Sequence, residues 1–103
     1  MLSSIIILIT ETIMDDGMKI YLFKGKCNGS GLRIRKAREQ MHLSQEQLAA
    51  KLQLDGLEIT QKTISRIENG LRIIPDYELP FFARALEHDV SWFLQDINFK
   101  NEG

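Results

Sequence analysis

The segment from position 61 to position 69 holds polar side chains at the spacing of one helix face. An α-helix advances about 100° per residue, so one side of this segment carries Lys62, Ser65, Arg66 and Asn69, with Gln61 and Glu68 at its boundary. Arginine and lysine can pair with O6 and N7 of guanine, and glutamine with N6 and N7 of adenine. This hydrogen-bonding chemistry suits a nucleic acid, although a solvated helix surface would also show residues of these types.

The opposite side of the same segment is predicted to face a core. Thr60, Ile64 and Ile67 cluster there. Glu68 is the one acidic residue of this helix and lies at the edge of the predicted core, where an unpaired carboxylate is costly. We expect Arg38, on an earlier helix, to be its cationic partner; a solvated Glu68 is the alternative.

Two helix starts of the same design precede this face. Ser44 and Gln47 have the spacing of a capping box, in which the serine hydroxyl accepts from the Gln47 backbone and the Gln47 side chain reaches back. Thr60 repeats the N-cap before the second helix, and Gly70 suits the C′ position after it. Two short capped helices in tandem are typical of a DNA-binding helix-turn-helix motif.

The periodicity predicts an all-α domain of five helices. The first runs from a cap near Ser30 to about position 41, the second from 45 to 52 or 53, and the third from 61 to 69. The fourth is predicted to start at Pro75 and to hold Pro80 in its first turn. A short fifth helix follows a cap near Asp89.

Charge is unevenly distributed along the 103 residues, a length that predicts one domain. The net charge of −1 and a pI of about 6.1 argue against a nucleic-acid partner. Residues 32–73, however, carry a net charge of +3, and residues 74–103 carry −4. A basic segment beside an acidic one provides a surface suited to phosphate.

Catalytic and metal-binding chemistry finds little support. Cys27 is the single cysteine, which excludes an internal disulfide and a cysteine-based metal site. His42 and His88 are isolated and are expected to be solvated or loop side chains. His42, Ser44 and Glu46 are close in sequence, but capping already explains the serine. We predict no enzyme, no cofactor and no metal, and a cytoplasmic location.

Residues 1–30 are predicted to form an extension and linker, separate from the helical domain at 31–96 and the tail at 97–103. β-branched and aromatic residues at 5–13 and 20–23 surround the turn signal Asp15-Asp16-Gly17 and favour a β-hairpin. A dangling or helical segment is the alternative, and so is translation from Met18, which would leave residues 1–17 outside the natural protein. Residues 24–31 have the composition of a linker.

The apolar run at residues 5–9 predicts no membrane anchor. It is far shorter than the roughly 20 residues that span a bilayer. It also lacks the charged start and cleavage site of a secretory signal.

Residues 32–95 resemble the Cro and phage-repressor family of helix-turn-helix regulators, often called XRE-type. The stretches that carry the resemblance are LRIRKAR at 32–38, LSQEQLA at 43–49, TISRIENG at 63–70 and VSWFL at 90–94. The resemblance implies a five-helix domain with the third helix in the major groove. It implies base contacts by Gln61, Lys62, Ser65 and Arg66, phosphate contacts by Gln45 and Asn69, and a buried ion pair of Arg38 with Glu68. Thr60 and Arg72 complete the predicted DNA-binding residues.

The chain departs from the family pattern between the second and third helices. Residues 53–58 make this connection longer than family members commonly have. We interpret the longer turn as a subfamily trait. It leaves open whether Gln61 or Lys62 reaches a base.

The predicted function is that of a DNA-binding transcriptional repressor or regulator, acting as a homodimer on a two-fold, double-stranded operator. Candidate dimer surfaces are the N-terminal hairpin and the apolar residues around Trp92 and Phe93; alternatively, Trp92 closes the core under the fourth helix. The alternative function is a protein-interaction module, such as an antitoxin or adaptor, whose acidic C-terminal third binds a protein partner.

Overall fold

The computed structural model describes residues 22–95. Within this range lie five α-helices: α1 (Gly31–Gln40), α2 (Gln45–Leu54), α3 (Gln61–Glu68), α4 (Leu79–Leu86) and α5 (Val90–Phe93). The same residues contain no β-strand, only an isolated antiparallel bridge between Phe23 and Lys26. The all-α, five-helix prediction is therefore confirmed. The predicted hairpin, apart from its last two positions, and the C-terminal tail lie outside the described residues.

Apolar side chains from all five helices share one core. Its fully buried large members are Ile34, Leu48, Leu52, Ile64, Ile67, Phe82, Leu86 and Phe93. Burial of one such side chain contributes about 1.5–3 kcal/mol. Ile64 and Ile67 therefore hold α3 against the core by one side and leave its polar side to solvent. Phe93, which was a candidate for a dimer surface, belongs to the core instead.

Both predicted N-caps are formed. The Ser44 hydroxyl accepts from the backbone N–H of Gln47 at 3.0 Å, and the Gln47 side-chain oxygen accepts from the Ser44 N–H at 2.8 Å. Thr60 Oγ1 accepts from the N–H of Thr63 at 3.2 Å. As an N-cap, Thr60 has extended backbone angles and does not follow the helical wheel. This explains why it is exposed rather than on the predicted core side.

Glycines in the left-handed region end α2 and α3. Gly56 has φ +102° and Gly70 has φ +75°, values that L side chains rarely adopt. After Gly70, the N–H of Leu71 donates to the carbonyl of Arg66 at 2.8 Å, which is the long bond of a Schellman motif. Gly70 thus ends α3 as predicted.

The long connection between α2 and α3 packs against the core. Leu57 and Ile59 are buried in it, and Gln53 donates from Nε2 to the carbonyl of Ile59 at 2.7 Å. The extra residues therefore fill the space between the two helices and help to fix the position of α3 relative to α2.

The helix predicted to start at Pro75 begins later. Residues 76–78 form a turn in which the N–H of Glu78 donates to the carbonyl of Pro75 at 3.0 Å, and α4 starts at Leu79. Pro80 lies in the first helical turn, as predicted.

Residues predicted to be a linker pack against the C-terminal end of α3. The Cys27 N–H donates to the carbonyl of Gly70 at 2.8 Å. Asn28 Nδ2 donates to the carbonyls of Ile67 at 2.9 Å and Arg72 at 2.8 Å, while its Oδ1 accepts from the N–H of Gly31 at 2.8 Å. The backbone N–H of Gly31, at the start of α1, is therefore bound by the side chain of Asn28 and not by that of Ser30, the predicted cap.

Small residues in this segment permit close packing. A Cβ at Gly31 would collide with the carbonyl oxygen of Ile67. The glycines that resemble a flexible linker in sequence thus include one that lets α1 approach α3 closely.

Trp92 closes one end of the core. It packs partly buried against the core cluster, and its ring stacks on His88 with centroids 3.8 Å apart. The guanidinium of Arg33 lies 4.6 Å from the Trp92 ring centroid. His88 thus lies in the loop between α4 and α5, one of the two predicted alternatives, with its ring stacked on Trp92 rather than solvated.

Candidate nucleic-acid interface

The predicted polar face lies along the side of α3 opposite the core. Lys62 and Asn69 are exposed, and Ser65 and Arg66 are half-buried. Arg66 donates from Nη2 to the carbonyl of Leu71 at 3.1 Å. The structure thus brings these four side chains onto one surface, with Arg66 oriented by the backbone that follows the helix.

Gln45 connects this face to the start of α2. Its Nε2 donates to Glu68 Oε1 at 3.0 Å, and its Oε1 accepts from Nε2 of Gln61 at 2.7 Å. An ionised carboxylate only accepts hydrogen bonds, so Glu68 fixes which end of the Gln45 amide points toward it. Gln61 must then donate. Its own carbonyl oxygen and second N–H remain available, and these are the groups that pair with adenine.

The ion pair of Arg38 with Glu68 anchors this connection. Arg38 donates from Nε to Glu68 Oε2 at 2.7 Å and from Nη2 to Oε1 at 2.9 Å. The side chains are 12% and 2% exposed, so the pair joins α1 to α3 inside the domain. Arg38 also donates from Nη1 to the carbonyl of Leu43 at 2.8 Å, just before α2. One guanidinium therefore links three helical regions.

The hydrogen bonds to Glu68 raise the pKa of Arg38 above its ordinary value, although burial acts to lower it. The guanidinium is therefore charged at every pH at which the pair could matter. The carboxylate of Glu68 carries its compensating charge, so the ion pair adds no net charge to the face of α3.

The guanidinium of Arg72 forms an ion pair with the carboxylate of Glu78. It donates from Nη1 and Nη2 to the two carboxylate oxygens of Glu78, at 2.7 and 3.1 Å. The side chain of Glu78 is only 5% exposed, and its hydrogen bonds raise the pKa of Arg72. Arg72 thus holds Glu78 within the domain, with its own side chain 30% exposed, and its phosphate contact stays a prediction. Its position after α3 made it a plausible phosphate contact, and the burial of Glu78 carried no signal in the sequence.

Sequence reasoning missed Lys26. Its ammonium nitrogen lies 3.4 Å from the carbonyl oxygen of Asn69, at the C-terminal end of α3. The two residues are 43 positions apart, and no periodic pattern connects them. Only the fold brings this lysine to the end of the polar face.

Within the part of the chain that the structure describes, no group of three histidine, cysteine or acidic residues could hold a metal ion. Each helix within residues 22–95 is too short or too polar to cross a bilayer.

Comparison with known families agrees with this geometry. A helix-turn-helix family model matches residues 34–93, which is more than half of the chain. The match runs from α1 to the last residue of α5 and includes both capped helices. A comparison with curated proteins gives no match. The chain belongs to the XRE-type helix-turn-helix family, that of Cro and the phage repressors, and carries its DNA-binding domain.

Proposed function

We propose that this DNA-binding regulator is a sequence-specific repressor that inserts α3 into the major groove of a double-stranded operator. The observation that supports it best is the hydrogen-bonded series from Arg38 through Glu68 and Gln45 to Gln61. A merely solvated face would not need an amide held in one orientation. A side chain that must match the donors and acceptors of a base does need it.

The base-contacting residues in this proposal are Gln61, Lys62, Ser65 and Arg66. Gln45 and Asn69 bind phosphates on either side of the groove, because they lie at the first residue of α2 and just after α3. Phosphate contacts supply most of the affinity and position the helix, whereas base contacts supply the specificity. Thr60, whose hydroxyl caps α3, positions the first turn.

The proposed active form is a homodimer on a two-fold operator. A single module of this size covers limited DNA surface, and two copies related by two-fold symmetry double it. Leu94, 43% exposed beside the partly buried Trp92, is the exposed large apolar residue of the predicted surface around Trp92 and Phe93. Sedimentation of the protein with and without operator DNA measures the assembly, and a monomer on a half-site would contradict it.

Selection of bound sequences from a random DNA pool tests the repressor proposal directly. We expect a two-fold symmetric consensus, on which Arg66→Ala loses about 1–3 kcal/mol of binding free energy and relaxes one base position. Arg84→Ala is the matched control, since Arg84 is exposed on α4 and pairs with Asp55. A pool that yields no consensus contradicts sequence-specific binding, and an equal loss for Arg66→Ala on selected and random duplexes shows a phosphate contact only.

A further inference from the structure

The segment before α1 is fixed to the C-terminal end of α3. Two backbone hydrogen bonds between Phe23 and Lys26, at 2.8 and 2.9 Å, close a tight turn. Cys27 and Asn28 then bond to the backbone at and around the end of α3. A side chain on this turn is therefore held at a fixed position relative to the end of α3.

Lys26 is placed by packing as well as by its backbone. Its aliphatic stem lies against Gly70, where an added Cβ would collide with the Lys26 Cδ. Its ammonium lies near the carbonyl of Asn69, and the residue as a whole is exposed. The carbonyl oxygens at a helix C-terminus carry partial negative charge, which accounts for this position in the free protein.

The ammonium of Lys26 can exchange its contact with Asn69 for a contact with another oxygen. At 3.4 Å it is long for a hydrogen bond, and it is made to a neutral oxygen at an exposed site. A DNA phosphate group carries a full negative charge, shared by two oxygens, and makes a shorter, charge-assisted bond with lysine. Asn69 is itself a proposed phosphate contact, so a phosphate at this end of α3 comes within reach of Lys26.

We propose that Lys26 is a further phosphate-binding residue, which contacts the DNA backbone next to the phosphate bound by Asn69. This inference rests on the proposed DNA-bound position of α3. A backbone contact fits better than a base contact, because Lys26 lies beyond the helix end and beside the main chain of Asn69. The segment upstream of the family domain thereby adds to the DNA-binding surface.

The test is the salt dependence of binding by the full-length protein. Each phosphate neutralised by a cation contributes about −0.9 to the slope of log K against log salt concentration. Lys26→Met keeps the unbranched stem over Gly70 and removes the charge, and Lys26→Gln is a second neutral variant. Lys36→Met is the matched control, since Lys36 is an exposed lysine on the side of α1 away from Ile34. The probes are a random duplex and a selected operator.

We expect Lys26→Met to reduce the slope by about one unit on both duplexes. When the salt concentration rises from about 50 to about 200 mM, the affinities of Lys26→Met and of the wild type both fall. The factor by which that of Lys26→Met falls should be about 3.5 times smaller. Lys26→Arg should retain the wild-type slope, and Lys36→Met should leave it unchanged.

Three outcomes overturn the inference. A wild-type slope in both neutral variants means that Lys26 binds no phosphate, and an equal change in Lys36→Met means that the slope reports the charge of the protein rather than a contact by Lys26. A loss confined to the selected operator means that Lys26 contacts a base. If the wild type itself shows no salt-dependent binding to either duplex, the proposed function fails, and this result is distinct from a failure of Lys26 alone.

Discussion

Gln45 and Gln61 join the first residues of α2 and α3 through a side-chain hydrogen bond of 2.7 Å. The other end of the Gln45 amide bonds to Glu68, two turns further along α3. Gln45 therefore lies along one edge of α3 and is held at both ends. A side chain so held loses little further rotational freedom when DNA binds, which favours tighter binding.

The first prediction concerns the coupling of these two glutamines. Gln45→Ala should weaken binding to a selected operator by about 1 kcal/mol, partly because Gln61 loses its orientation. Gln45→Ala with Gln61→Ala should cost less than the sum of the single losses, by at least about 0.5 kcal/mol. Operator titrations of the three variants measure this, with Gln40→Ala at an exposed position of α1 as the control. Additive losses would mean that the hydrogen bond does not act in binding.

The second prediction concerns the ion pair of Arg38 with Glu68. Glu68→Ala should lower the free energy of unfolding by about 3–5 kcal/mol, because it leaves a mostly buried guanidinium without its partner. Replacing both residues, by Met and Leu, should recover part of the loss. Urea denaturation followed by circular dichroism measures both effects.

Two controls separate the pair from its surroundings. Arg35→Ala with Glu39→Ala removes an exposed pair on α1 and should change stability by less than about 1 kcal/mol. If Arg38→Met and Glu68→Leu lose stability additively, the two charges do not stabilise each other and the interaction is not a functional pair.

Much of the site could be predicted because its signals are local. The capping box at Ser44, the cap at Thr60 and the glycine at position 70 depend on residues within a few positions. Glu68 could be matched to Arg38 because a carboxylate at a core edge demands a cation. The resemblance to the family led to the same pair and to the order of the helices.

The remainder depends on contacts between distant parts of the chain. Asn28 bonds to two carbonyls some forty positions away, yet its neighbours have the composition of a linker. The fourth helix starts later than its pattern predicts, and Glu78 lies in the turn before α4, where it is buried against Arg72. Side-chain packing, rather than propensity, decides both cases.

The third prediction assigns Arg72 to stability. Arg72→Ala should lower the free energy of unfolding by about 1–3 kcal/mol, because the buried Glu78 carboxylate loses two hydrogen bonds. Well below the melting temperature, its binding to random duplex should stay close to that of the wild type. Thermal melts and duplex titrations of Arg72→Ala and Arg66→Ala separate the two roles. A wild-type melt combined with weakened DNA binding would instead assign Arg72 to the interface.

The last prediction tests whether the segment before α1 is part of the folded domain. Asn28→Ala removes two donors and one acceptor, all in partly buried bonds. At about 1 kcal/mol for each bond, the free energy of unfolding should fall by about 2–4 kcal/mol. Asn28→Asp keeps the acceptor for Gly31 but turns a carboxylate toward two carbonyl oxygens, so it should be at least as unstable.

Urea denaturation of these variants decides the question, with Asn69→Ala as the control because its amide makes only a 3.5 Å contact to Ser65. The slope of unfolding free energy against urea should stay constant, so that the midpoint alone reports the loss. If Asn28→Ala unfolds at the wild-type midpoint, residues 24–31 act as the linker that their composition suggests. The turn that carries Lys26 would then be held at α3 only by the hydrogen bond of Cys27 with Gly70 and by the contacts of Lys26 itself.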